Sequence, residues 1–405
     1  MAIPLRQSKP ASSRDNLSGT NLVRAGDHNQ RVTLQAIRSF GPITRIGIAE
    51  ITGLTAPSIA NITKRLLADG LILQDGRILG ARGQPASKFI ANPDGAYALG
   101  LNIDRDHITL VAMDFTGNVL DRTSVETRFA MPDEVLAFLE REYARIVSKK
   151  IINSDRLIGL GIGLPDDLGH VQLPQKPPDY IQWSQIDVIG LFGKALKVAV
   201  YTENDATAAA IGELQFGDGL NRQNFIFTLI SAGLGSGIIV NSQPYRGSHN
   251  RSGEIGFFPL SLQSDDTTSL QDRVSLYSLY EYLADRGLNV STPAELMAAD
   301  PTMKAAIFKW ADAAEETLAS TLLVINCVLN PEIHYLGGRL PAFILDRICE
   351  GLNRRFSLLM GRVPDIAPFR RAESSEDAAA LGAAVVVLQN RLLPNPEALM
   401  KVANA

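Results

Sequence analysis

The residues best suited to chemistry are Glu203-Asn204-Asp205-Ala206-Thr207. They form an acidic, amide-bearing elbow between the apolar run Val198-Ala199-Val200-Tyr201 and an alanine-rich stretch that reads as a helix. A carboxylate at the carboxyl end of a buried strand is placed to accept a hydrogen bond from a ligand hydroxyl or to take its proton, and α/β proteins bind ligands at strand ends. Asn204 and Asp205 also suit a helix cap, so the stretch alone supports either role. A second feature is Ser231-Ala232-Gly233-Leu234-Gly235-Ser236-Gly237, a glycine-rich turn between apolar runs. Backbone N–H groups in such a turn can approach a phosphate, although glycines alone are weak evidence.

The elements that must hold these residues belong to a chain of 405 residues, long enough for two or three domains. Its 45% hydrophobic and 20% charged content is that of a globular protein rather than a disordered one. Cys327 and Cys349 lie far apart with no CxxC spacing, which argues against a disulfide framework and a cysteine zinc site, and for a reducing cytoplasm. The first residues lack the apolar core of a signal peptide, and runs such as Ala383–Leu388 are too short to span a bilayer, so no membrane role is expected. Charge is uneven: residues 1–90 carry 12 Lys and Arg against 5 Asp and Glu, and the other 315 carry 27 against 38. A basic head on an acidic body points to a polyanion partner for the head.

Residues 1–28 read as a flexible arm and 29–92 as a compact head. Val32, Ala36, Ile37 and Phe40 recur at helical spacing, Gly41-Pro42 ends that helix, and Thr44 caps a short helix from Arg45 to Ile51. After the turn Thr52-Gly53-Leu54, a third helix from Ala56 to Asp69 buries Ile59, Ile62, Leu66 and Leu67 and offers Ser58, Asn61, Lys64 and Arg65 on its other face. Two helices joined by a short turn, the second amphipathic and basic, form a helix-turn-helix. Asp75-Gly76 between apolar runs reads as the turn of a hairpin wing. In such a head Asn61 suits an adenine edge and Ser58 a base or phosphate, while Lys64, Arg65 and Arg45 suit phosphates. Thr44 and Thr55 flank the same helix starts, and Arg82 in Arg82-Gly83-Gln84-Pro85 can enter a minor groove.

From residue 93 the order β-β-β-α-β-α-β leads into the Asp205 elbow, and a second such unit follows, so the body reads as two α/β lobes, an order that resembles the repeated unit of sugar-kinase and actin-like folds. The expected limits are 93–207 for a small lobe, with a C-terminal helix at about 386–405 packing back on it, and 208–385 for a large lobe.

Ordered motifs now make the chain similar to a known family. Thr44-Arg45 and Leu54-Thr55-Ala56-Pro57-Ser58-Ile59 in the head, then Gly163-Leu164-Pro165, Glu203-Asn204-Asp205-Ala206, Ser252-Gly253-Glu254-Ile255-Gly256, Gly337-Gly338 and Ala379-Ala380-Leu381-Gly382, resemble the ROK family of repressors and sugar kinases. The branch is the one with an N-terminal winged helix-turn-helix, typified by N-acetylglucosamine- and glucose-type repressors. The resemblance covers roughly residues 20–390. It implies a sugar held between the lobes by Asn204, Asp205 and Glu254, with Gln271 nearby, the Pro165-Asp166 loop over it, and Trp183 stacking close by.

Three departures refine what the resemblance implies. Family kinases hold ATP phosphates with an Asp-x-Gly-Gly-Thr loop, where this chain has Asn102-Ile103-Asp104-Arg105-Asp106-His107; side chains stand where backbone must approach phosphate, so ATP is not expected as a cofactor and no catalytic residue is assigned. The family's zinc cluster of one His and three Cys is replaced by Phe257 and a cysteine-free loop, so zinc is not expected, and Phe257 and Phe258 are expected to plug that loop. Gln271 stands for a family glutamate, which changes the polar set offered to a sugar. The expected protein is a cytoplasmic repressor that binds double-stranded operator DNA as a homodimer or dimer of dimers and answers to a sugar or sugar derivative. The rival is an active hexose or N-acyl-hexosamine kinase with a DNA-binding head. A third possibility is a DNA-binding protein whose body takes no ligand.

Overall fold

The computed structural model describes residues 22–78, 86–170, 176–261, 267–363, 365–374 and 376–394. The chain forms two compact units, a head that ends at Gly95 but also takes the chain from Gln389 onward, and a body from Ala96 to Leu388.

The head comprises α1 (Leu22–Phe40), β1 (Ile43–Thr44), α2 (Arg45–Thr52), α3 (Ala56–Ala68), β2 (Ile72–Ile78) and β3 (Ala86–Ala91), with sheet order β1-β3-β2. Leu34, Ile37, Ile48, Ile59, Ile62, Leu66 and Phe89 form its buried centre. Side-chain caps fix the helix starts: Thr44 Oγ1 accepts from the Gly47 N–H and Thr55 Oγ1 from the Ser58 N–H. Gly53, at φ +70°, ends α2 in the left-handed conformation that glycine adopts without strain.

Two expectations change here. The first helix begins at Leu22, so the arm expected over 1–28 overlaps it, and residues 1–21 lie outside the described ones. Asp75-Gly76 is not the hairpin turn. Gln74 pairs with Phe89 and Arg77 with Ser87, so three steps on β2 face two on β3 and Gly76 (φ +69°) carries a bulge inside the strand. The connection at 79–85, including Arg82, lies outside the described residues.

The body repeats one architecture. Strands β4 (Tyr97–Ile103), β5 (His107–Asp114), β6 (Val119–Glu126), β7 (Leu157–Leu164) and β8 (Val200–Asn204) form a sheet of order β6-β5-β4-β7-β8, with helices α4 (Pro132–Ser148) and α5 (Val188–Leu196) between its later strands. After α6 (Asp205–Phe216), strands β9 (Phe225–Ile230), β10 (Leu234–Val240), β11 (Gln243–Pro244), β12 (Ile333–Gly338) and β13 (Phe369–Arg371) repeat that order as β11-β10-β9-β12-β13. Each sheet has an antiparallel hairpin on one side and parallel strands on the other. Helices α7 (Leu276–Ala284), α8 (Pro293–Met297), α9 (Pro301–Leu329) and α10 (Ala342–Ser357) complete the second lobe, whose core includes Leu279, Trp310, Leu318, Leu345 and Phe356.

Two helices exchange between the lobes. α6 leaves the Asp205 elbow and lies on the second sheet, where a Cβ on Gly237 would come within 2.3 Å of the Ala206 carbonyl. α11 (Ala378–Arg391) returns to the first sheet, where Cβ atoms on Gly100 and Gly161 would meet the carbonyls of Ala380 and Ala383 at 2.0 and 1.8 Å. The helices cross where a Cβ on Gly382 would lie 1.6 Å from the Ala208 carbonyl. The return to the first lobe thus starts at Ala378 rather than near 386. The chain from Gln389 groups with the head instead, where Arg31 Nη1 donates to the carbonyls of Gln389 (3.3 Å) and Leu393 (3.1 Å). Alanine and glycine patterns mark helix–sheet contact in sequence, but not which sheet is contacted.

Candidate functional site

In the head, Asn61, Lys64 and Arg65 are exposed on α3, beside the face that buries Ile59, Ile62 and Leu66. Thr44, Thr55 and Ser58 are already engaged in caps, with Thr55 Oγ1 donating to Ser58 Oγ at 3.0 Å. Arg45 is engaged too. Its Nε donates to Thr63 Oγ1 at 2.9 Å and its guanidinium lies over the Phe89 ring at 5.2 Å, tying α2 to α3 and β3. Among the described residues of α3, the exposed cations are Lys64 and Arg65.

In the body, the β8-to-α6 elbow caps its helix and lines a pocket. Asn204 caps α6, its Oδ1 accepting from the Thr207 N–H at 3.0 Å. Asp205 begins the helix, is buried, and accepts from the Ala206 N–H at 2.8 Å while lining a pocket between the two sheets. Pro165, Asp166, Asn204, Asp205, Glu254 and Gln271 all line this pocket, though they come from four separate stretches of the chain. Gly253, at φ +84° and with no room for a Cβ against the Ser236 carbonyl, sets the turn that presents Glu254.

The carboxyls crowd one another. Burial, then the Asp104 carboxylate, push Asp205 up to about 7, against the pull of Arg105 and the Ala206 N–H. Burial and a hydrogen bond shared with Asp166 raise Glu254 to about 7 as well. Asp166 Oδ2 has no donor among the described residues, and a proton on Glu254 would supply one.

Arg105 was read only as a side chain blocking a phosphate loop. It turns into the pocket, 6% exposed, with its Nε on Asp104 Oδ1 at 3.0 Å. Its guanidinium lies against Gly233, where a Cβ would be 2.7 Å from Nη2 and 3.0 Å from Nη1. Burial works against the Asp104 charge, yet Arg105 and His107 hold that carboxyl at about 2. The like charge expected from Asp104 and Asp106 is thus neutralised in place. His107 Nδ1 donates to Asp106 Oδ1 (2.7 Å), and Arg339 Nη1 reaches Asp106 Oδ2 (3.0 Å) and Glu126 Oε2 (3.2 Å) from the second lobe. Asp104, Asp106 and His107 are close enough to share a metal ion, but two guanidiniums already serve the carboxylates.

Further ion pairs close the rim. Arg246 binds Glu203 Oε2 through Nε (3.0 Å) and Nη2 (2.7 Å), and Arg251 pairs with Asp167 and faces Asp166 at 3.9 Å. The inner pocket is small, about 40 Å³, room for about three waters. A neighbouring cleft of about 570 Å³ meets it at Pro165, Asp166 and Asn204. Trp183 lines that outer cleft, buried and donating from Nε1 to the Ala130 carbonyl at 2.9 Å. Phe257 and Phe258 do not plug their loop; they are 59% and 49% exposed. Sequence reasoning missed Arg105, Ser236, Arg246 and Arg251. The available signal was electrostatic, since so many acids in pocket motifs require nearby cations.

Two sheets of like order, joined by crossing helices and with carboxyls converging in the cleft, define a two-lobed protein of the actin-like, sugar-kinase class. The chain belongs to the ROK family, whose profile matches residues 98–390. It is similar to a xylose repressor from Bacillus spizizenii, 28% identical over 228 residues, covering 56% of this chain and 59% of that protein. Among solved structures it resembles a ROK family transcriptional regulator described as a homologue of the Escherichia coli MLC protein (TM-score 0.68, 21% identity, 90% of this chain and 96% of that one). It also resembles a ROK family glucokinase from Streptomyces griseus in complex with glucose and AMPPNP (TM-score 0.57, 20% identity, 73% and 100%). At these identities the structures establish the fold. No described helix is long and apolar enough to cross a membrane.

Proposed function

We propose that the protein is a sugar-responsive repressor that binds operator DNA through α3 and the wing, takes a sugar or sugar derivative in the body, and is not an active kinase. The repressor among its relatives supports the DNA-binding half, together with the exposed Asn61, Lys64 and Arg65 on a capped, amphipathic α3. The observation that carries the sugar half is the gathering of Asn204, Asp205, Glu254, Asp166 and Gln271 in one pocket. Ring hydroxyls donate and accept, and a pocket offering several carboxyls, an amide group and a second amide at convergent positions matches that chemistry.

Arg105 argues against phosphoryl transfer from ATP. Its guanidinium fills the space against Gly233, in the turn whose backbone would otherwise face phosphate. Residues 102–107 do not fit the family's phosphate loop, and Phe257 with the stretches 258–261 and 267–271 offers no His or Cys to hold the family's zinc. Asp205 then acts as a hydrogen-bond acceptor rather than a base. We assign the working form as a homodimer in the cytoplasm, since two heads are needed to read two half-sites.

The test is operator binding by the full chain at several salt and sugar concentrations, beside a coupled ATP-consumption assay on the same sugars. Sequence-specific, salt-sensitive binding that a sugar shifts is the expected result. Sugar-dependent ATP turnover would establish the kinase instead.

A further inference from the structure

Three polar groups in the inner pocket lack partners. Nη1 and Nη2 of Arg105 make no hydrogen bond with any described residue, although the side chain is 94% buried. Ser236 Oγ, from β10, is buried and unbonded, and so is Asp166 Oδ2, which Arg251 faces at 3.9 Å without a hydrogen bond. Buried donors without acceptors are costly, about 1–3 kcal/mol for each such group and more for charged ones. They persist in folded proteins where a water, an ion or a ligand completes them. Donors and acceptors face each other in the pocket: Arg105 and Ser236 can donate, and Asp205, Glu254 and Asp166 can accept, with Ser236 held next to Glu254 by its N–H to the Gly253 carbonyl (2.8 Å).

We infer that the effector is an anionic monosaccharide, whose carboxylate or phosphate meets the Nη1–Nη2 edge of Arg105 and Ser236 Oγ while its hydroxyls face Asp205, Glu254 and Asp166. This inference rests on the sugar-sensor reading above and narrows it. A guanidinium presents parallel N–H bonds that match two oxygens of one anionic group, which a neutral hydroxyl cannot do. The volumes agree with this orientation. An inner space of about 40 Å³ holds one small group, and the outer cleft of about 570 Å³ that meets it at Asp166 and Asn204 holds the sugar body. Asp106 is matched by Arg339, and Asp104 takes only the Nε edge of Arg105, which leaves the Nη1–Nη2 edge for an anion. Asp205 and Glu254 take up protons readily when negative charge approaches.

The experiment is calorimetric titration of the full chain with matched sets: five- and six-carbon aldoses, and the aldonate, uronate and terminal phosphate of each. Wild type is compared with Arg105→Gln and Arg105→Lys. The expected result is an acidic member binding about tenfold or more tightly than its neutral parent. That ratio should fall close to one in Arg105→Gln and be partly kept in Arg105→Lys. The carboxylate and phosphate arms show which anion is read. Neutral aldoses binding as well as or better than their acids in wild type would overturn the anionic effector and leave the sugar sensor standing. So would a ratio unchanged in a folded Arg105→Gln. If no member of the panel binds wild type, both readings fall. The wild-type ratio decides the matter even if Arg105→Gln does not fold.

Discussion

Replacing Asp205 with Asn should stabilise the ligand-free body at pH 8 while abolishing its response to sugar. The folded state raises this carboxyl from 3.8 to about 7, chiefly by burial. Its pKa is thus higher folded than unfolded, and between about 4 and 7 the folded protein binds more protons. Stability from this group therefore falls as pH rises through that window and levels off above it. A shift of about three units corresponds to a ceiling near 4 kcal/mol at about 1.4 kcal/mol per unit. Because Asp104 and Glu254 titrate with it, Asp205 accounts for roughly 2–4 kcal/mol. Asn keeps an oxygen for the Ala206 N–H and carries no charge, so it mimics the protonated acid at every pH. The assay is thermal unfolding of both proteins from pH 4 to 8, with and without sugar. Near pH 4 the variant and wild type should melt close together, at pH 5.5 the variant should already show about half of its lead, and by pH 8 it should melt several degrees higher. Glu254, raised in the same direction, keeps part of the slope, and the double variant with Glu254→Gln should be flat. A variant less stable than wild type at pH 8 would refute the reasoning, since it would mean that Arg105 holds Asp205 ionised at a net gain.

Further predictions concern the other parts of the molecule. Gly382→Val places side-chain atoms where even a Cβ would be 1.6 Å from the Ala208 carbonyl, and should cost upwards of about 3 kcal/mol in urea unfolding. Gly53→Ala has open space but a positive φ and should cost only about 1 kcal/mol. Lys64→Ala should weaken operator binding for all sequences and lower the salt slope by about one, whereas Asn61→Ala should relax preference at one base position; equal effects on specific and random DNA from both would contradict these roles. Arg246→Ala removes two hydrogen bonds to Glu203 Oε2 across the cleft, together worth about 1 kcal/mol at this partly exposed position, and should lower the sugar concentration at half-response a few-fold. No shift in that midpoint would mean the rim pair does not oppose opening.

Much of this architecture is legible in sequence because the signals are local. Thr44 and Thr55 ahead of amphipathic runs mark the head helices, and apolar runs ending in Glu203-Asn204-Asp205 or Gly337-Gly338 mark strand ends. The pocket set of Asn204, Asp205, Glu254 and Gln271 came from ordered motifs that need each other only in three dimensions. What stayed hidden depends on long-range pairing. Asp75-Gly76 looks the same in a turn and in a bulge, and only the register against Phe89 and Ser87 separates the two. Arg105 reads as one charge in an acidic run until the fold lays it on Gly233, 128 residues later in the chain. Phe257 and Phe258 suggested burial from residue type, but their loop carries them outward.

The crossing of α6 and α11 has a consequence for how such a protein changes over generations. At that point backbone meets backbone through Gly382 and Ala208, with Gly212 close by, and no long side chain has to find a new rotamer when the lobes rotate. The resistance to rotation therefore sits in the arginine pairs around the cleft, above all Arg246 with Glu203 and Arg339 with Asp106 and Glu126. Half-response depends on intrinsic affinity and on the fraction of molecules open enough to bind. The first is written in the pocket and the second at the rim. A lineage can thus move its threshold for induction up or down by single substitutions at the partly exposed members of these pairs, Arg246 and Glu126, without relearning which ligand it recognises.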